Sequence, residues 1–90
     1  MNRQEALAAL INEASRLVGR SYAELAQLIG KPSTVQHGKY QVEVQAHWDD
    51  KPNGTLRLSF AVDDGGFRAF FPLTQSTLVE PGGTFTGHIE

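Results

Sequence analysis

The stretch KYQVEVQAHWDDKPNGTLRLSFAVDDGGFRAFFPL, residues 39–73, alternates apolar and polar side chains through three consecutive runs. Tyr40, Val42, Val44, Ala46 and Trp48 fall on one side of a pleated strand, and Lys39, Gln41, Glu43, Gln45 and His47 on the other. Leu56, Leu58, Phe60 and Val62 repeat the pattern, as do Phe67, Ala69, Phe71 and Leu73. Successive side chains of a strand point to opposite faces, so this alternation predicts an antiparallel sheet with one face buried and one wet. Strands are expected over about 39–49, 55–63 and 66–73.

Parity and turn chemistry then suggest a register. Trp48 and Leu58 share the buried face, which asks for an odd loop between the first two strands. Pro52-Asn53-Gly54 suits a three-residue loop, Pro presetting its φ and Gly taking the left-handed position. The expected pairs are Trp48 with Leu58, Ala46 with Phe60, and Val44 with Val62. Val62 and Phe67 ask for an even loop, and Asp64-Gly65 is a favoured type I′ dipeptide. Phe60 is then expected opposite Ala69, and Leu58 opposite Phe71.

Something must cover the apolar face, and the N-terminal third supplies it. Asn2 with Glu5 three residues on reads as a helix start. Leu7, Leu10, Ile11, Ala14, Leu17 and Val18 follow at helical spacing, predicting a helix over 3–18 that Gly19 ends with a left-handed residue. Ser21 and Glu24 repeat the capping box and open a shorter helix over 22–29, with Leu25, Leu28 and Ile29 on one side. Pro32 to Gly38 reads as a loop crossing to the sheet. In the tail, residues 74–90, Leu78-Val79 fits a helical turn or a strand end, Pro81-Gly82-Gly83 is a turn, and the weak alternation from Thr84 to Ile89 admits a fourth, edge strand. The fold class is therefore a single two-layer α+β domain: two N-terminal helices on one face of a three-stranded antiparallel meander, with a fourth strand as an option.

Ninety residues make one domain and one modest core, a shortage that a homo-oligomer relieves. The net charge of −2 lacks the basic excess of a generic nucleic-acid or anionic-membrane surface. The absence of cysteine removes disulfides and thiolate metal sites. Arg3, Glu5, Asn12 and Glu13 interrupt the apolar N-terminal pattern, so no signal-peptide core is expected there. No segment reaches the ~18 apolar residues of a membrane span, and the cytoplasm is the default compartment.

The candidate site is the wet face of the sheet. The expected register arranges it in rows: Gln45, Ala61 and Arg68; His47, Ser59 and Phe70; Asp49, Arg57 and Pro72. Ser59 and Ala61 are small and leave a trough between longer neighbours. Phe70 puts a ring where water is expected, and aromatics beside arginines are enriched at the centres of protein interfaces. The chain's own tail, through Phe85 or Ile89, is the competing cover for Phe70. The candidate interaction residues are Phe70, Arg68, Arg57, His47, Ser59 and Gln45.

Other chemistry is thin. His47 near Ser59 and Asp49 invites a hydrolase reading, but Asp49 and His47 point the same way along one strand, about 7 Å apart, and no oxyanion hole is implied. Asp49 and Arg57 are expected to form an exposed ion pair. Asp49, Asp50, Asn53 and Gly54 fail as a calcium loop because Lys51 occupies a ligand position. His37, His47 and His88 lack metal-ligand spacing. No cofactor is indicated.

Ser21 to Val35, SYAELAQLIGKPSTV, resembles the opening of a bacterial helix-turn-helix, with Ala26 and Gly30 four residues apart after a capped start. The resemblance implies DNA binding through a second helix, yet Pro32 intervenes and only Lys31 and Lys39 are basic nearby. The reading favoured by the whole sequence is a small protein–protein interaction module. It would self-associate or meet another protein through the solvent face or an open edge of its sheet, the Lys39 strand and the Phe67 strand or tail being the available edges. A small-molecule site or enzyme in the trough is the alternative.

Overall fold

The computed structural model describes residues 2–64 and 73–86. Helices α1 (Arg3–Val18) and α2 (Tyr22–Ala26) precede five strands: β1 (Ser33–His37), β2 (Tyr40–Asp50), β3 (Thr55–Asp63), β4 (Leu73–Val79) and β5 (Phe85–Thr86). The strands form one antiparallel sheet in the order β1-β2-β3-β4-β5. Four of them have five or more residues, and β5 is a two-residue edge where the alternating tail suggested a fourth strand. The α+β class and the covering of one sheet face by N-terminal helices stand as the pattern predicts.

Helix α1 begins where Asn2 Oδ1 accepts from the Glu5 N–H at 3.1 Å, and α2 carries a complete capping box between Ser21 and Glu24. Gly19 does end α1, but at φ −78°, so it supplies no left-handed turn. Helix α2 stops at Ala26 rather than 29. Ile29 leaves the helix to make a parallel bridge to Ala46 on β2, and Gly30 turns at φ 76°. Helix α1 packs chiefly on β3 and β2, burying Leu10 and Leu17 against Val42, Leu58 and Phe60. Its buried face is rotated from the expected stripe. Ile11 and Val18 are 42% and 55% exposed, while Glu13 is fully buried.

Three further sequence expectations need correction. The segment read as a loop, residues 32–38, contains β1, joined to β2 by the two-residue turn Gly38-Lys39 between the paired His37 and Tyr40. Gly38 sits at φ 61° and, among the described residues, no non-glycine residue has a positive φ, which makes this a type II′ turn, with glycine at the first central position. The Lys39 strand is therefore not an edge.

The β2–β3 register differs by two residues from the expected one. Trp48 lies opposite Leu56, Ala46 opposite Leu58, Val44 opposite Phe60 and Val42 opposite Val62. A bulge between Trp48 and Asp50 absorbs one residue, so an even loop over 51–54 still returns the same face to the core. The turn closes with Gly54 N–H donating to the Lys51 carbonyl at 3.0 Å. Trp48 ends up only half-buried.

The partner of β3 is not the 66–73 run. Val62 pairs with Leu73, Phe60 with Gln75, Leu58 with Thr77 and Leu56 with Val79. These contacts occupy the positions assigned to Phe67, Ala69 and Phe71. Residues 63–72, an even number, separate the paired Val62 and Leu73, as parity requires. Residues 65–72 lie outside the described residues, and with them the expected turn and most of that run.

Leu78-Val79 is a strand end, not a helical turn. The turn at Pro81-Gly82-Gly83 joins β4 to β5, Gly83 N–H donating to Glu80 O at 2.8 Å and Glu80 N–H to Thr84 O at 2.9 Å.

Candidate functional site

The corrected register rebuilds the wet face in new rows. Gln45, Ser59 and Ser76 form one, Glu43, Ala61 and Thr74 the next, and His47, Arg57 and Leu78 the third. Arg68 and Phe70 lie outside the described residues. Ser76 stands opposite Ser59 where Phe70 was expected, Thr74 opposite Ala61 where Arg68 was expected, and Leu78 opposite Arg57 where Pro72 was expected. The other four candidates, Gln45, His47, Arg57 and Ser59, do share this face.

A trough of about 450 Å³ follows the small residues of β3, its walls formed by Glu43, Gln45, Thr74 and Ser76 and its floor by Ser59 and Ala61. The walls are internally bonded. Gln45 Nε2 donates to Glu43 Oε1 at 2.8 Å, and Arg57 donates from one arm to Ser76 Oγ at 2.8 Å and from Nε to Asp49 Oδ1 at 3.0 Å. The Asp49–Arg57 ion pair expected from sequence is thus present, reached diagonally across the bulge. Asp49 is engaged by Arg57 and not by His47, so the acid of a Ser–His–Asp arrangement is committed elsewhere. Among the described residues, no group of three or more His, Asp or Glu side chains is placed to hold a metal ion.

The second surface is the outer edge of β1, with which no strand among the described residues pairs. Ser33, Thr34 and Gln36 are exposed, and Val35 and His37 half-buried. In a two-residue hairpin the residues flanking the turn exchange both main-chain bonds, and such pairs then alternate along the strands. His37, Val35 and Ser33 therefore direct their N–H and C=O groups to Tyr40, Val42 and Val44, while those of Thr34 and Gln36 face away from the sheet. β1 contains no charged residue and no proline.

A buried charge cluster ties this edge to α1. The Glu13 carboxylate, with no exposed side-chain surface, accepts from Arg16 of its own helix and stands 3.3 Å from His37 Nε2 at the end of β1. Burial pushes the Glu13 carboxyl up, but the bonds from Arg16 and His37 outweigh it and hold the group below its ordinary range. No buried side-chain polar atom among the described residues lacks a partner. Beside the cluster, Ala8, Ala9 and Asn12 of α1 leave an open groove of about 640 Å³ against the β1–β2 turn, with Glu5 on its wall. Glu5 accepts from the Tyr40 hydroxyl at 3.0 Å and pairs with Lys39 at 3.6 Å.

The sequence signal for β1 is the Gly38-Lys39 dipeptide, a Gly-X pair that suits a type II′ turn, immediately before the alternating run from Tyr40. The signal for Glu13 was its position between Leu10 and Leu17, on the stripe that must be buried. The segment where a recognition helix would have to lie is β1, a strand, so the resemblance to a helix-turn-helix ends at Gly30. No family model, curated protein or solved structure matches the chain, and the residues alone carry the functional reading.

Proposed function

We propose that this chain is a small interaction module that works through the open β1 edge of its sheet, self-association being the simplest form. The observation that carries this reading is the row of outward main-chain groups on Thr34 and Gln36, in a strand with neither charge nor proline to blunt it. Strand addition at such an edge draws affinity from main-chain hydrogen bonds and selectivity from neighbouring side-chain pockets. The residues of the wet face become flanking contacts in this reading. No helix among the described residues is long and apolar enough to cross a membrane, and a cysteine-free chain of slight negative charge fits a cytoplasmic setting.

Light scattering on a sizing column across micromolar to millimolar protein tests it. The mass should rise with concentration above 9.9 kDa. Thr34→Pro, which removes an outward N–H and leaves the bonds to β2 in place, should hold the mass at the monomer value. A wild-type mass that stays monomeric, or a variant that assembles as well as wild type, refutes edge pairing.

The trough supports a second reading, a site for a small polar ligand, because Ser59, Ser76 and Gln45 converge on it with hydroxyl and amide groups. A metabolite panel that raises Tm for wild type but not for Ser59→Val would favour it.

A further inference from the structure

We infer that the partner at the β1 edge is a second copy of this chain, paired antiparallel about a two-fold axis at Val35. The inference rests on the edge-binding reading above and adds the occupant and its register. β1 is self-complementary in that register. Val35 meets the partner copy's Val35 on the core side, and Thr34 meets Gln36 on the wet side, so apolar faces apolar, polar faces polar, and no charge opposes its like. Thr34 and Gln36, whose main-chain groups face outwards, become the hydrogen-bonded pairs of the new ladder. The two five-stranded sheets would then run on as one of ten strands.

Helix α1 leaves room for this contact. Its N-terminal half lies by the His37–Tyr40 end of the edge, where Glu5, Ala8, Ala9 and Asn12 line the groove. Its C-terminal end and the residues just after it lie by Ser33, where Arg16, Arg20 and Glu24 stand together. Antiparallel pairing of two β1 strands brings the Ser33 end of one copy beside the His37 end of the other. Each end carries its own counter-charges, Arg16 with Glu13 and Arg20 with Glu24 at one and Lys39 with Glu5 at the other, so the pairing brings no unbalanced like charges together across the axis. The small side chains of Ala8 and Ala9 leave room for an incoming strand on the same side of the sheet.

Single cysteines test the register cleanly, since the wild-type chain has none. On the axis, Val35 forms a non-hydrogen-bonded pair with its own copy at a Cα separation of roughly 4.5 Å, inside the disulfide range of roughly 4.4–6.8 Å. Thr34 is diagonal to its own copy at roughly 7–8 Å, outside that range. With diamide as oxidant at micromolar protein, Val35→Cys should run mostly as a covalent dimer on a non-reducing gel, and Thr34→Cys mostly as a monomer. Equal or stronger linking by Thr34→Cys overturns the register. If neither variant links while wild type is a dimer by light scattering, this inference falls and the module associates through another surface. If neither links and wild type is monomeric throughout, the edge-binding reading falls with it. A second pair guards against a cysteine that disturbs the strand: Thr34→Lys with Gln36→Glu should keep the dimer, and Thr34→Lys with Gln36→Lys should abolish it.

Discussion

Replacing Glu13 by Gln keeps the shape of a fully buried side chain and removes its charge. In the wild type Oε1 and Oε2 accept from Arg16, and Oε1 also faces His37. An amide turns one acceptor into a donor aimed at groups that are themselves donors. Arg16 is 47% exposed and can recover water, so its share is that of a surface pair, about 0.2–1 kcal/mol. His37 is 25% exposed, and a hydrogen bond from it to a buried carboxylate contributes about 1.5 kcal/mol. The expected loss at pH 7 is about 2 kcal/mol, a drop in Tm of roughly 8–16 °C for a domain of this size. The loss should depend on pH in one direction. The folded-state pKa of Glu13 lies below the 4.5 of an unperturbed glutamate, so its contribution is complete above about 4.5 and disappears as pH falls through the lower, folded value. Melts of both proteins by circular dichroism from pH 7 to pH 3.5 should show the gap narrowing only below about 4.5. Equal Tm values at pH 7, or a gap of constant size across that range, would refute the assignment of Glu13 as a buried, stabilising carboxylate.

Two further outcomes follow from packing. Phe60→Ala should cost ~3–5 kcal/mol in urea unfolding, because Phe60 is buried at the centre of the sheet, whereas Trp48→Ala should cost clearly less, since Trp48 is only half-buried beside the bulge. Gly54→Ala should destabilise by more than 1 kcal/mol, roughly, since Gly54 has φ 73° and a Cβ there would meet Pro81 Cγ at 3.0 Å and Tyr22 Oη at 3.1 Å. Tyr22 also donates to the Gly54 carbonyl. Unchanged thermal stability of Gly54→Ala would mean this turn is not held against α2 and the β4–β5 loop.

The parts of the fold that sequence made legible are those where one residue type has one physical use. A polar cap before an apolar stripe placed α1 at 3–18, and alternation placed β2 and β3 and their shared buried face. What alternation cannot choose is a register among those that differ by an even number of residues, because each puts the same side chains inward. Both misread hairpins failed in that way. The bulge at Asp49 and a loop one residue longer than expected together shift the β2–β3 pairing by two residues, and β3 pairs with 73–79 in a register of the expected parity although Gln75 and Thr77 are polar. A turn dipeptide such as Asp64-Gly65 favours one register without excluding the others.

The candidate site was legible to the same degree and for the same reason. Gln45, His47, Arg57 and Ser59 share a face because parity survived, while their neighbours changed because register did not. β1 carries little periodic signal, with Val35 the one apolar residue in five, and what makes it a strand is its partner β2, which pairs with it at every residue from Ser33 to His37. Tertiary pairing, not propensity, defines that element. The same dependence bears on function. A strand whose inner side is satisfied by β2, and whose outer side no described residue pairs, has half of its main-chain hydrogen bonding directed at whatever comes next to it. In a ninety-residue domain with a small core, completing that ladder with an identical strand extends the sheet without asking any new element of the sequence.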